Sequence, residues 1–464
     1  MPTILYEGQD LTLPSGAGKA TYAKNLGAAA RRLGYATKVL VGIDKALQRR
    51  EPLLTEIALY DARAERWPSW PVNTELAGAA IIGKPFGIAT VELIGGGSIV
   101  DAPQSNLREF DATLVATRLM DVARLHFRRY GRRASLRLPA PPAIFHATTP
   151  APLLARHCAN LYTIHDLVPL RLPYATLDDK RYFLRLVRHL GKTADHIVTV
   201  SEFSRQELIR FAGIPEHRIT NTYQAVSIPA ELTSKNEDEL ADELSHAFKL
   251  DFRGYFLFFG AVEPKKNIAR LIDSFAASGV DRPLIIAGPL GWQHEIDVEK
   301  IQDERFLNYR VQDGNIFADR RVRRLSYVPF PQLVSLIRGA RAVLFPSLYE
   351  GFGLPVLEAM LLGTPVLTSN VSSLPEVTGD AAVLVDPTDL DKLGSAIRII
   401  DQDADLRAEL SAKGRARAEM FSSEAYQARL AKLYGRFAEL PKSLPCSVSP
   451  GSNVNPDGRR PASP

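Results

Sequence analysis

Two glutamates, Glu350 and Glu358, stand with seven residues between them in the run FPSLYEGFGLPVLEAM, on either side of the turn Gly351-Phe352-Gly353. An apolar strand pattern ends before the turn, and a helix is predicted to begin near Leu354-Pro355, where proline is preset for the first helical position. Gly351 and Gly353 bring no side chains, so backbone N–H groups can approach a ligand, and the helix dipole favours negative charge at that end. A phosphate or a sugar hydroxyl suits such a turn. Carboxylates accept hydrogen bonds from hydroxyls, the commonest polar feature of a ribose or a hexose. Glu358, leaning back toward the helix start, is placed to reach a ribose, and Glu350 in the loop to reach a sugar. Taken alone, either glutamate reads more simply as a residue that complements the helix dipole.

The elements around these residues alternate in type. In the first half, short apolar runs at 36–43, 112–117, 143–148, 160–166 and 196–201 are separated by stretches long enough for crossover helices. Runs without polar alternation suit parallel strands covered on both faces. A second set follows at 255–260, 283–288, 324–328, 341–347, 364–369 and 381–387. Two such sets predict an α/β chain of two doubly wound Rossmann-like domains facing a cleft, with ligands at the strand C-termini. The expected divisions are a first domain over 1–229, a linker region over 230–252, and a second domain over 253–415. A C-terminal helix over 416–440 should pack back toward the first domain. The Pro/Ser-rich tail over 441–464 should be disordered.

Composition narrows the class. A chain of 464 residues, 45% hydrophobic and 23% charged, is long enough for two cores and has the makeup of a globular protein. Its two cysteines, Cys158 and Cys446, argue against a disulfide framework or a thiolate metal site and fit a reducing cytoplasm. The start MPTILYEGQD lacks the pattern of a secretory signal, and the apolar stretch 76–100 is too interrupted to span a bilayer. Seven arginines against one acid between Arg118 and Arg137 give that segment a formal +6. It reads either as a solvated helix face or as a patch for phosphate, on a lipid-linked acceptor or at the inner face of a membrane. No aromatic platform accompanies it, so nucleic acid is not expected.

The Phe345–Asn370 segment resembles the donor motif of glycosyltransferase family 4, whose E-x7-E pattern is matched by Glu350 and Glu358 in the context EGFGLPVLEAM. The resemblance continues in FFGAVEPKKNIARLIDSF, SYVPFPQLVSLIRGARAVLFPS and SNVSSLPEVTGDAAVLVDP. It implies the two-domain GT-B fold and a retaining transfer from a nucleotide-diphosphate sugar, with Gly351, Phe352, Gly353, Leu354 and Glu358 on the donor. In the loop Gly260 to Asn267, Lys266 occupies the place of the family's diphosphate-contacting lysine, and Lys265 stands where one branch has arginine. Many members carry arginine directly after the glycine, where this chain has Ala261, so the source of a second charge is open. Without the family context both lysines read as a solubilising helix start.

In the first half, LPSGAGKATYAKNLG resembles the family's glycine-rich opening, with Gly16 and Gly18 near the donor phosphates. It is not a P-loop, since Leu13 and Ala20 replace the required glycine and Ser/Thr. The run LYTIHDLVPLRLP resembles the family's strand-end H-D-L, which places His165 near the donor sugar and Asp166 beside it. His146 has no defensible role, and Ser201 or Ser204 reads as a helix cap. The resemblance implies a front-face displacement without metal or other cofactor, and the sequence has no Cys/His cluster with metal spacing. The branch favours GDP-mannose over a UDP-hexose, with a glycan or lipid-linked acceptor. A glycosidase reading of the carboxylate pair fits poorly, because both belong to one loop-helix unit. A GT-B nucleotide-sugar epimerase and a non-catalytic nucleotide-sugar binder are the alternatives.

Overall fold

The computed structural model describes residues 1–12, 18–43, 87–93, 107, 109–312 and 315–438. The first half forms a sheet whose strands lie in the order 219–221, 196–199, 159–163, 144–147, 3–7, 36–43, 112–117 and 91–92. All neighbours are parallel except the last pair. Thr3–Glu7, at the centre, is absent from the predicted set: its apolar run is only three residues long and ends on a glutamate.

The second sheet is wholly parallel, in the order 322–325, 284–287, 256–259, 342–345, 366–369 and 383–385. Every residue of Phe256–Phe259, Leu284–Ala287, Ala342–Phe345 and Val366–Ser369 is buried, so these runs have no reason to alternate. The strand predicted at 324–328 is instead Val322–Leu325. Val322 fills the core, whereas Tyr327, 82% exposed, has already left it for solvent.

Both sheets are doubly wound. In the first, the chain moves outward from 3–7 to 36–43 and 112–117, then returns to the other side at 144–147. In the second, it moves from 256–259 to 284–287 and 322–325, then reverses at 342–345. The reversal opens a crevice beyond the C-terminal ends of the central strands, where ligands of such folds bind. The first domain therefore presents the residues after Glu7 and Ala147, and the second those after Phe259 and Phe345.

The C-terminal helix Ser423–Ala438 packs on the first domain. Its Tyr426, Leu430, Leu433 and Tyr434 join one apolar cluster with Ile4, Tyr6 and Leu26. The Tyr434 hydroxyl meets the Tyr6 hydroxyl at 3.2 Å and His146 Nδ1 at 2.8 Å, which gives His146 a structural place in the interior. Within the expected linker region, Glu237–Phe248 is a helix that starts with an Asn236/Glu239 capping box and buries Leu240 and Leu244, the latter in the second core.

The arginine-rich segment is helix Leu119–Tyr130 and strand Ala134–Arg137. Arg118 pairs with Asp121 at 3.0 Å, Arg128 with Asp179 at 3.1 Å, and Arg133 donates to the Tyr162 hydroxyl at 2.7 Å. Arg124, Arg129, Arg132 and Arg137 stay exposed. Gly16, Cys446 and the tail lie outside the described residues, and Cys158 is a free, half-buried thiol. Among the described residues no helix is long and apolar enough to cross a membrane.

Candidate functional site

The lysine loop is tied to the strand end that precedes the glycine turn. Asn267 takes a left-handed conformation (φ 63°) after the short turn Pro264–Lys266, and its amide donates to the carbonyls of Pro346 (3.1 Å) and Pro387 (2.7 Å). The Lys265 carbonyl accepts from the Leu348 N–H at 2.8 Å. These bonds bring Lys266 Nζ to Glu350 Oε1 at 2.7 Å, with the ammonium 4.7 Å from the centre of the Phe345 ring. Only 8% of Lys266 and 6% of Glu350 is exposed. Burial would raise the Glu350 carboxyl, but Lys266 and then Lys265 more than offset it and hold it below its usual range. For Lys266 burial prevails and lowers the ammonium, Glu350 opposing. Lys265 is raised, because Glu350, Asp166 and Glu263 together outweigh its desolvation.

The glycine turn is held from behind. Ser373 Oγ donates to the carbonyls of Glu350 (3.0 Å) and Phe352 (2.9 Å), and the Glu350 N–H donates to Ser372 Oγ at 3.0 Å. Gly353, at φ 104°, takes a backbone conformation that side chains disfavour and caps helix Leu354–Leu361. The Phe352 ring packs 5.5 Å from Phe421 and 6.4 Å from Tyr223, so what this residue offers a ligand is its backbone.

His165 and Asp166 come from the other domain. They follow strand Ala159–Thr163 rather than ending it. A Cβ on Gly351 would lie 2.7 Å from the His165 carbonyl oxygen and 3.0 Å from Asp166 Cβ, so only glycine allows this approach. Ser201 caps the next helix, accepting from the Ser204 N–H at 3.0 Å. Ser204 instead uses its hydroxyl as a bridge, donating to the carbonyls of His165 (2.8 Å) and Gly351 (3.3 Å).

The His165 ring is fixed by the Thr148 carbonyl, 2.9 Å from Nε2, and by Tyr22, edge-on at 4.7 Å. A carbonyl only accepts, so Nε2 carries the proton and Nδ1 presents a lone pair. Burial, and then the charge of Lys19, push the imidazole down to about 4, Asp166 opposing. Near neutral pH it is an uncharged acceptor for a hydroxyl.

Gly18 opens helix Gly18–Arg32, and a Cβ there would sit 3.6 Å from Leu354 Cδ1, so two helix N-termini meet across the domain boundary. Glu358 stands apart from the lysine pair. It lies in the first turns of helix Leu354–Leu361, half-buried, and among the described residues its carboxylate has no hydrogen-bond partner. Burial alone raises it to about 7. The structure thus gathers Lys265, Lys266, Glu350, Gly351, His165 and Asp166, joins Gly18 to Leu354, and leaves Glu358 by itself further along the same helix.

Three residues at this junction escape the motif reading. Glu7, at the end of the central strand, is buried; its carboxylate accepts from the Gln9 N–H at 2.9 Å and the Thr149 hydroxyl at 3.3 Å, and burial raises it to about 7. Glu263, before the lysines, is raised by burial and keeps a buried Oε2 with no partner among the described residues. Lys19 is exposed on the first turn of its helix. A glutamate closing the apolar run TILY was the one available signal for Glu7.

The domains also meet through Glu376, which accepts from the N–H groups of Glu202 (2.6 Å) and Phe203 (2.9 Å) at a helix start. Tyr349 donates to Glu207 at 2.8 Å, and Trp292 Nε1 to the Ala175 carbonyl at 2.8 Å.

Residues 245–417 match the family model described as glycosyl transferases group 1, and residues 99–228 the one described as Glycosyltransferase Family 4. The chain is 37% identical over 267 residues to the O-antigen chain mannosyltransferase B of Escherichia coli, covering 56% of this chain and 66% of that protein. It is 28% identical over 240 residues to the O-antigen chain mannosyltransferase RfbU of Salmonella typhimurium, covering 52% and 60%. Against the Escherichia coli serotype-specific mannosyltransferase WbdA the match spans 31% of that protein, so the chain aligns with two thirds or less of the length of these relatives. Among solved structures, Anabaena HepE in complex with UDP and glucose superposes with a TM-score of 0.61 at 15% identity, covering 94% of this chain and 100% of that one. WaaG, a glycosyltransferase involved in lipopolysaccharide biosynthesis, gives 0.56 at 13% identity, covering 93% and 99%.

Proposed function

The chain belongs to the family 4 glycosyltransferases of GT-B fold, and from that premise we propose that it transfers a hexose, mannose in preference, from a nucleotide-diphosphate donor to a glycan or lipid-linked acceptor, with retention of configuration. The observation that carries the reading is the junction of Lys266 and Glu350 with His165, joined through the close approach of Gly351. Mannose is favoured because the curated relatives named above are mannosyltransferases.

In this reading the donor diphosphate sits between Lys266 and the N-terminus of helix Leu354–Leu361, and Glu358 takes the ribose. Glu350 has two tasks. It holds Lys266 in place and offers its second oxygen to a sugar hydroxyl. His165 Nδ1 accepts a hydroxyl from the opposite side. The bond from the anomeric carbon to the diphosphate oxygen breaks as the acceptor oxygen forms its bond on the same face, and the acceptor proton passes to the departing diphosphate. Lys266 and the helix dipole stabilise the charge that develops on the leaving group. Because that charge is met by a lysine and backbone dipoles, transfer is expected to persist in chelator; strict dependence on a divalent ion would contradict this part of the mechanism. With a lipid-linked acceptor, the exposed Arg124, Arg129, Arg132 and Arg137 would meet anionic headgroups, which co-sedimentation with anionic vesicles tests.

The deciding experiment is a screen of GDP-mannose and UDP-hexoses for donor hydrolysis and for transfer to glycan and lipid-diphosphate acceptors. Transfer from GDP-mannose that is lost in Glu350→Ala and Lys266→Ala supports the proposal. Rapid epimerisation without acceptor would favour the epimerase, and binding without turnover a non-catalytic sensor.

A further inference from the structure

In the loop that meets the phosphate in this reading, both lysines are already matched by acids. Lys266 is bonded to Glu350 at 2.7 Å, and Lys265 faces Glu350, Asp166 and Glu263. Two ammonium groups therefore stand among three carboxylates. A nucleoside diphosphate would add at least two further negative charges to a site with no surplus of positive charge.

A further cation comes from the other domain. Lys19 lies on the first turn of the 15-residue helix Gly18–Arg32, whose opening glycine approaches Leu354 at the start of the glycine-turn helix. Tyr22, one turn further along the same face, packs edge-on against His165 with ring centres 4.7 Å apart. Lys19 is thereby directed at the junction, within electrostatic reach of His165, Glu7 and Glu263. It is exposed and enters no ion pair among the described residues, so its charge is available. Two helix N-termini on opposite sides of the boundary add their dipoles in the same place.

We propose that Lys19 supplies, from across the cleft, a further positive charge for the donor diphosphate, beyond the two lysines already matched by carboxylates. The inference rests on the glycosyl-transfer reading and adds to it a named cation of the first domain, which reaches the diphosphate while the two helix starts remain together. Leaving-group stabilisation is then divided between the domains, Lys266 from one and Lys19 from the other.

Calorimetric titration of the full chain with GDP and GMP, and with UDP and UMP in parallel, tests it on wild type, Lys19→Gln and Lys19→Arg. The expected result is a diphosphate affinity lowered about tenfold or more in Lys19→Gln, a monophosphate affinity that moves much less, and near-wild-type binding in Lys19→Arg. Unchanged diphosphate binding in Lys19→Gln would overturn the assignment while leaving the transferase reading intact. Equal losses for mono- and diphosphate would also overturn it, as would an arginine variant no better than glutamine. A wild-type chain that binds neither diphosphate would instead overturn the transferase reading, and this inference with it.

Discussion

At Lys266 and Glu350, the proposed donor binding and the stability of the fold depend on the same atoms. Removing one partner of a buried ion pair leaves the other charged and unmatched, which costs about 3 kcal/mol or more. Lys266→Ala should therefore lower both the melting temperature and transfer, the latter by about 10² to 10³-fold if the lysine meets the leaving group. The double variant Lys266→Ala/Glu350→Ala should recover much of the melting temperature and none of the activity; thermal melts beside turnover assays separate the two effects.

Glu358 supplies a pH test. Its folded-state pKa, about 7, lies above the ordinary 4.5, so folding favours the protonated form and stability is lost as pH rises from 4.5 through about 7. Glu358→Gln should melt like wild type at the acid end and above it at the alkaline end. A melting difference that does not open across that window would show that the carboxyl is not held neutral by burial. Because a ribose diol is best held by the ionised form, donor affinity in wild type should strengthen over the same rise, and the glutamine variant should lose that dependence.

At the scale of elements, the contact between the glycine turn and the His165 strand end is the one that substitution should disturb most. A methyl group at 351 would collide with backbone, which cannot swing aside as a side chain can. Gly351→Ala is expected to reduce turnover by about 10²-fold through misplacement of Glu350 against His165, with each domain still folded by circular dichroism. The turn and its helix were legible in the sequence because glycines and proline are fixed there by local backbone demands, whereas the lysine loop was legible only through the family resemblance. Glu7, Lys19 and Glu263 were not, since their importance comes from which strand ends the topology places side by side. The same holds for Ser204, whose hydroxyl bridges the carbonyls of His165 and of Gly351, the latter 147 residues further along the chain than Ser204, instead of capping its own helix. The strand displaced from 324–328 to 322–325 shows the limit of apolar runs as a guide, because Tyr327 looks like a strand residue and faces water.

For the whole molecule, two sheets that each reverse at their centre put both crevices at one boundary, and the C-terminal helix returns to the first domain to hold that arrangement. Tyr434→Phe would strip His146 Nδ1 of its buried partner and cost about 1–3 kcal/mol, read as a lower denaturation midpoint, with the donor site unaltered. In the proposed mechanism one ligand is gripped from both sides of this boundary. A crystal structure with the nucleoside diphosphate product tests it most directly. The diphosphate is expected between Lys266 and the start of helix Leu354–Leu361, with the ribose on Glu358 and His165 facing the space the sugar leaves; a diphosphate bound away from Lys266, or held by one domain's outer surface, would refute the mechanism.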